Sequence, residues 1–269
     1  MKTITSKKKL IKIINNEKSL GFVPTMGAIH RGHLSLIKAS KKVCKRTIVS
    51  IFINKPQFNK KKDFQKYPRS IKKDTAILEK NNVDYLFVPK MKQMYPNGTN
   101  KKIKIISFSK KLCGEFRPGH FEAIVDIVDR FIEIIKPKKI FLGEKDMQQL
   151  IIIKSFVKYK YPKIQIIGCK TIREKNGVAL SSRNSLLSNK ENIIASKIYK
   201  ILKRNKYNII KKKKTTKNVS KIILNYGVKK IDYVKVFDIN KLAKPYIKKE
   251  QYRIFLAYYL GSTRLIDNL

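Results

Sequence analysis

GFVPTMGAIHRGHLSLIKAS, residues 21 to 40, decides how the rest of the chain is read. An apolar run stops at Pro24, a turn follows through Gly27, and a helical apolar pattern resumes at about His33. A short apolar strand, a glycine turn and an amphipathic helix open a βα unit. Two of the chain's three histidines, His30 and His33, fall in this turn. A helix starting there presents unpaired amides and the positive end of its dipole, which favour a phosphate. Imidazoles at i and i+3 share one face of that first turn and point at the same ligand. Gly27 and Gly32 carry no side chain and let a nucleotide approach the backbone. On its own, the H-x-G-H pattern fits two surface histidines at a helix start equally well.

The same alternation continues to about residue 170. Strands are expected at 20–24, 47–53, 84–89, 139–142 and 163–167, with helices near 33–43, 68–81, 119–136 and 147–160. The strands are short and apolar on both faces, as in a parallel sheet covered by helices. This is the pattern of a doubly wound, Rossmann-like α/β domain. Pro68 is expected at the first position of its helix, and Pro137 just beyond the end of another. Asp146 and Gln149 have capping-box spacing, and the alternating stretch 102–108 predicts an extra hairpin or edge strand. After about residue 172 the order changes. A capping box at Ser188 and Glu191 opens a helix to about 204, a lysine run at 211–214 reads as a solvated loop or helix start, and a helix follows near 216–226. Strand patterns then appear at 232–237, 253–259 and 264–266. The expected organisation is therefore a Rossmann-like domain over 1–172 and a smaller α+β domain over 173–269.

Composition narrows the function classes. With 269 residues and 42% hydrophobic content, the chain can bury a substantial core. No window approaches the roughly 18 uninterrupted apolar residues of a membrane helix. The first residues are basic but contain no apolar signal segment, so the chain reads as cytoplasmic. Cys44, Cys113 and Cys169 lack metal-ligand spacing and are odd in number, which argues against a disulfide framework. The net charge of +45 invites a nucleic-acid reading. The excess is nearly all lysine, spread along the chain beside abundant Ile and Asn, which share AT-rich codons. Arginine, the better base reader, is scarce. Compositional bias accounts for the charge without a dedicated nucleic-acid surface.

Three further motifs fall where ligands bind in such a fold. Gly143, Glu144, Lys145 and Asp146 follow a strand and precede a helix, placing Lys145 within reach of phosphates, although a capped helix with a surface lysine would look the same. Leu180, Ser181, Ser182 and Arg183 put two hydroxyls and a guanidinium on a glycine-flanked loop, a compact phosphate clamp able to close over a ligand. Asn54 and Gln57 lie in a turn at the end of a strand, and Gln149 lies one turn into a helix; these amides suit a small polar substrate.

Taken in order, VPTMGAIHRGHLSLI, VSIFINKPQFNKKKDFQKYPR, LCGEFRPGHF, FLGEKDMQQL and TIREKNGVALSSRN resemble the pantoate–β-alanine ligases, within the H-x-G-H nucleotidyltransferases. The resemblance implies a Rossmann-like fold. It also implies ATP-dependent condensation of pantoate with β-alanine through an acyl adenylate. An ATP loop would comprise Met26, Gly27, Ala28, Ile29, His30, Arg31, Gly32 and His33. His33 stands at the family's proton-donor position, with His30 as its partner; we assign His33 chiefly to donating a hydrogen bond to the transition state. Gly143 to Asp146, Ile172 and Leu180 to Arg183 would complete the ATP contacts, Lys145 and Arg183 being the charged ones. Gln57 would contact pantoate and β-alanine, and Gln149 pantoate. Magnesium would ride on the ATP phosphates, and the enzyme would be a cytoplasmic homodimer with a C-terminal lid.

The chain departs from the family pattern in three places. Asn-Lys-Pro-Gln-Phe replaces the usual Asn-Pro-x-Gln-Phe, Arg31 replaces an acidic residue, and Leu180 replaces methionine. A cytidylyltransferase-like H-x-G-H enzyme is the alternative within the superfamily. It would need cations for a phosphorylated acceptor where this chain offers Gln57 and Gln149.

Overall fold

The computed structural model describes residues 1–211, 215–239 and 252–269. In chain order the elements are β1 (Lys2–Ile4), α1 (Lys7–Ile14), β2 (Leu20–Thr25), α2 (Arg31–Val43), β3 (Arg46–Ile51), α3 (Lys61–Lys66), α4 (Ile71–Lys80), β4 (Tyr85–Phe87), α5 (Met91–Met94), α6 (Cys113–Phe116), α7 (His120–Ile135), β5 (Lys139–Gly143), α8 (Met147–Lys160), β6 (Gln165–Cys169), α9 (Asn189–Ile210), α10 (Thr216–Leu224), β7 (Lys230–Asp238), β8 (Tyr252–Leu260) and β9 (Thr263–Asn268). Strands β1 to β6 form a parallel sheet in the order β1-β4-β3-β2-β5-β6, and β7-β8-β9 form an antiparallel sheet.

The strand order places the site. The chain winds from β2 outward through β3 and β4, then returns so that β5 pairs with the other side of β2. The switch point therefore lies between β2 and β5, and ligands in doubly wound sheets bind outside the carboxyl ends of the strands at such a point. The turns after β2 and β5 are the H-x-G-H and GEKD segments.

The core explains why these runs are strands. Phe22 of β2 and Phe87 of β4 are fully buried, and both rings pack against Phe131 of α7, at 5.3 and 6.2 Å between centroids. Among the described helices α7 is the most deeply buried, ending in the left-handed residue Lys136 before Pro137, as its sequence predicts. A second hydrophobic cluster joins α9 and α10 to the antiparallel sheet, with Leu202, Val219, Ile223 and Ile254 at its centre.

Several expectations are corrected. The stretch 102–108 forms no strand: Ile103, Ile105 and Ile106 pack onto the core without a ladder partner, and a 3₁₀ turn follows at Ser107–Lys110. The helix expected from Pro68 starts at Ile71, because the Ser70 hydroxyl caps it; a separate helix, α3, precedes the proline. Asp146 makes no capping bond; a 3₁₀ turn, Glu144–Asp146, runs directly into α8. The Ser188–Glu191 box forms as expected, but α9 runs on to Ile210. β1 and α1 were hidden by lysines, although Leu10 and Ile14 are buried. Of the lysine run, residues 212–214 lie outside the described residues.

Candidate active site

Between the two sheets opens a cavity of about 790 Å³, lined by Met26, His30, Gly32, His33, Asn54, Gln57, Gly143, Lys145, Asp146, Gln149, Ile172 and Leu180 to Arg183. Cavities of several hundred Å³ accommodate cofactor-sized ligands. Gly27, Ala28, Ile29, Arg31 and Glu144, also expected at the site, do not line it. The first three form the turn behind the histidines. Arg31 is exposed and forms an ion pair with Glu174, while Glu144 pairs with Arg253 at 3.0 Å.

The i, i+3 spacing of the histidines turns out to be a capping box. His30 is the N-cap of α2, and its Nδ1 accepts from Gly32 N at 3.1 Å, while His33 Nδ1 accepts from His30 N at 3.4 Å. Both Nδ1 atoms are thus acceptors, which fixes the proton of each neutral ring on Nε2. The rings stack at 4.1 Å. Burial, then the neighbouring His30 and Lys145, push His33 down to about 3; burial and Lys145 lower His30 as well. Both imidazoles are neutral Nε2–H donors at pH 7. Gly32 is required by this arrangement, since a Cβ there would sit 2.8 Å from the His30 ring.

The turn before them is held under tension. Gly27 has φ +84° and Ala28 has φ +50°, a conformation that costs an ordinary residue about 1–2 kcal/mol. Thr25 Oγ1 accepts from Gly27 N at 3.1 Å, and the buried Asp74 carboxylate accepts from Ala28 N and Ile29 N at 2.9 and 2.8 Å.

Opposite the histidines, the Lys55–Gln57 segment forms a 3₁₀ turn with Pro56 inside it. The Lys-Pro departure is thereby accommodated, and the Gln57 amide faces the cavity, donating to Met26 Sδ at 3.0 Å. Asn54 is 1% exposed and braces this turn. Its Nδ2 donates to Gln57 Oε1 and Ala123 O, and its Oδ1 accepts from Tyr95 at 2.7 Å. The third histidine, His120, also lines the cavity. Its Nδ1 donates to Gln57 O at 2.8 Å, leaving Nε2 to accept from Arg117 at 3.0 Å. Burial, then the Arg117 charge, pushes His120 down to about 3. Burial lowers Arg117 to about 10, so it remains a cation at neutral pH. Sequence reasoning assigned neither residue a role. The signal was present in RPGH, a cation and an imidazole flanking a proline–glycine turn at a helix start.

On the third side, Arg183 Nη2 reaches both oxygens of Asp63 at 3.0 and 3.1 Å, and Tyr67 bonds Ser182 at 3.0 Å. The GEKD turn is braced from below by Asn268, whose amide donates to the carbonyls of Glu144 and Lys145 at 2.9 and 2.8 Å. Arg173 clamps the neighbouring Asp267 at 2.6 and 2.8 Å.

The parallel sheet, its switch point and the histidine-capped turn define a Rossmann-like protein of the H-x-G-H type. The model of the family described as Pantoate-beta-alanine ligase matches residues 1–269. The pantothenate synthetase of Sulfurihydrogenibium sp. (strain YO3AOP1) is 41% identical over 97% of this chain and 95% of its own length. That of Buchnera aphidicola subsp. Acyrthosiphon pisum (strain 5A) is 43% identical over 100% and 96%. Among solved structures, the pantoate-beta-alanine ligase from Francisella tularensis, complexed with beta-gamma ATP and beta-alanine, superposes with TM-score 0.86 at 38% identity, covering 100% of this chain and 97% of that one. Pantothenate synthetase from Thermus thermophilus gives TM-score 0.88 at 30% identity, over 100% and 99%. The chain belongs to the pantoate–β-alanine ligase family. This membership displaces the cytidylyltransferase-like alternative.

Proposed function

We propose that this cleft binds ATP and pantoate, forms pantoyl adenylate, and transfers the pantoyl group to β-alanine. The observation that carries the reading is the pair of neutral Nε2–H donors beside Lys145 at the switch point, with the Gln57 amide across the cavity. Pantoate is already ionised at neutral pH, so its carboxylate oxygen attacks the α-phosphorus of ATP without a general base. The bond to the bridging oxygen breaks, and pyrophosphate leaves with the electron pair. His30 and His33 donate to phosphate oxygens as charge grows on them, and Lys145 supplies a fixed cation. Ser181, Ser182 and Arg183 hold the distal phosphates, which requires Arg183 to exchange Asp63 for phosphate. Gln57 and Gln149 hold pantoate, and the remaining Met26–His33 backbone, Gly143–Asp146, Ile172 and Leu180 enclose the nucleotide.

The β-alanine ammonium first loses a proton to solvent; the free amine attacks the acyl carbon, AMP leaves with the carboxyl oxygen, and the nitrogen's surplus proton passes to the AMP phosphate or to water. Arg117, half-buried and charged beside Gln57, suits the β-alanine carboxylate. Among the described residues, no three His, Cys, Asp or Glu side chains converge on a cation position. Magnesium fits here as a companion of the ATP phosphates, where it would neutralise charge on the pyrophosphate. We further read the chain as two units, 1–172 and 173–269, the second closing over the cleft, and as a cytoplasmic homodimer. Incubation with ATP, pantoate, β-alanine and magnesium should release AMP and pantothenate together, with AMP release dependent on pantoate. Equal AMP release without pantoate would sink the assignment.

A further inference from the structure

We infer that Asp74 is a positioning residue of the nucleotide site, acting through the 27–29 turn; this rests on the reading that the turn and its histidines hold ATP. Asp74 lies in the first turn of α4 and is 3% exposed. A carboxylate near a helix N-terminus is favoured by the dipole. Both of its oxygens accept from consecutive amides of another element, Ala28 N at 2.9 Å and Ile29 N at 2.8 Å. Those amides belong to the segment that must bend sharply for His30 to cap α2, and the bend passes through φ +84° and φ +50°. An alanine does not hold a left-handed conformation unaided. Gly27 is shaped by the same contact, since a Cβ there would lie 2.9 Å from Asp74 Oδ2. The Asp74 carboxylate, 46 positions from Ala28 in sequence, thus fixes the turn whose next residue carries the first imidazole. It touches no substrate position itself: it does not line the cavity.

An asparagine at this position keeps one acceptor and turns an NH2 group toward the other backbone amide. Asp74→Asn should therefore weaken ATP binding by about tenfold or more in calorimetric titration well below its melting temperature, in proportion to the lost charged bond. Adding Ala28→Gly to that variant should recover part of the affinity, because glycine adopts the left-handed turn without the carboxylate. A purely structural role would lower the melting temperature and leave ATP affinity alone. ATP affinity equal to wild type in Asp74→Asn, or no recovery in the double variant, overturns the inference. Should Asp74→Asn not fold, hydrogen exchange on the wild type decides: the Ala28 and Ile29 amides should be protected, and exchange at the rate of an open loop overturns the inference. Wild-type protein that binds no ATP overturns the functional reading itself, a result separate from an unchanged variant.

Discussion

His33 has one hydrogen to offer a ligand, on Nε2, because its other nitrogen is spent on the helix cap. The side chain is thereby a fixed dipole whose proton need not move during catalysis. Preorganised donors of this kind are each worth roughly 10²–10³ in rate when aimed at developing charge. His33→Ala should accordingly lower the adenylation rate by about 10²–10³-fold with a smaller change in pantoate KM, measured as pantoate-dependent pyrophosphate release. Near-normal turnover would remove the histidine from the chemistry. Arg31 shows how local the requirement is. It replaces an acidic residue between the two histidines, yet its exposed side chain turns to Glu174 and leaves the cap undisturbed.

At the level of elements, the 3₁₀ turn carrying Gln57 is held by three others: α7 through Ala123 O and His120, the segment of Tyr95, and the Met26 loop. Asn54, buried, makes two of these four contacts and also bonds Gln57 Oε1. Replacing it by alanine leaves the Tyr95 hydroxyl, the Gln57 side-chain oxygen and the Ala123 carbonyl without this partner, at a cost of about 1–3 kcal/mol for a buried group so stranded. Asn54→Ala should raise pantoate KM by about tenfold and leave ATP KM within a factor of a few. Equal losses for both substrates would show a general collapse of the site instead. What was legible in sequence follows from the same division of labour. The strand–turn–helix units, the H-x-G-H turn and Gln57 are local, and periodicity with a few punctuating residues reveals them. Asp74, Arg117 and His120 act across elements: Asp74 lies 46 positions from Ala28, whose amide it holds, and RPGH displays a cation and an imidazole without showing that both reach Gln57. The failures have similar causes. The alternation at 102–108 matched a strand period, but the segment joins neither sheet and packs its isoleucines onto the core instead. The capping-box spacing at Asp146 was overridden by the 3₁₀ entry to α8.

For the whole molecule, burying neutral histidines couples stability to pH. His120 titrates at about 3 in the fold against 6.5 unfolded, so between these values the unfolded chain takes up the proton and the native one does not. Its stabilising effect is complete above pH 6.5 and is lost as pH falls toward 3, at up to ~1.4 kcal/mol per pH unit. His33, also at about 3, has the same sign. The melting temperature should fall between about pH 6.5 and 5, before carboxylates protonate, and His120→Asn should flatten that slope. An unchanged slope would mean that His120 is not buried in its neutral form. The net charge of +45 adds self-repulsion, which salt screens, so the series requires constant ionic strength.

The brace that Asn268 places under the GEKD turn has a consequence for biosynthesis. The parallel sheet is complete once β6 has been made, yet the carbonyls of Glu144 and Lys145 meet their partner more than a hundred residues later. A nascent chain still on the ribosome can therefore pair its parallel sheet while its main core still lacks Tyr233, Phe255 and Ala257 and the GEKD turn still lacks its brace, which arrives only with β9.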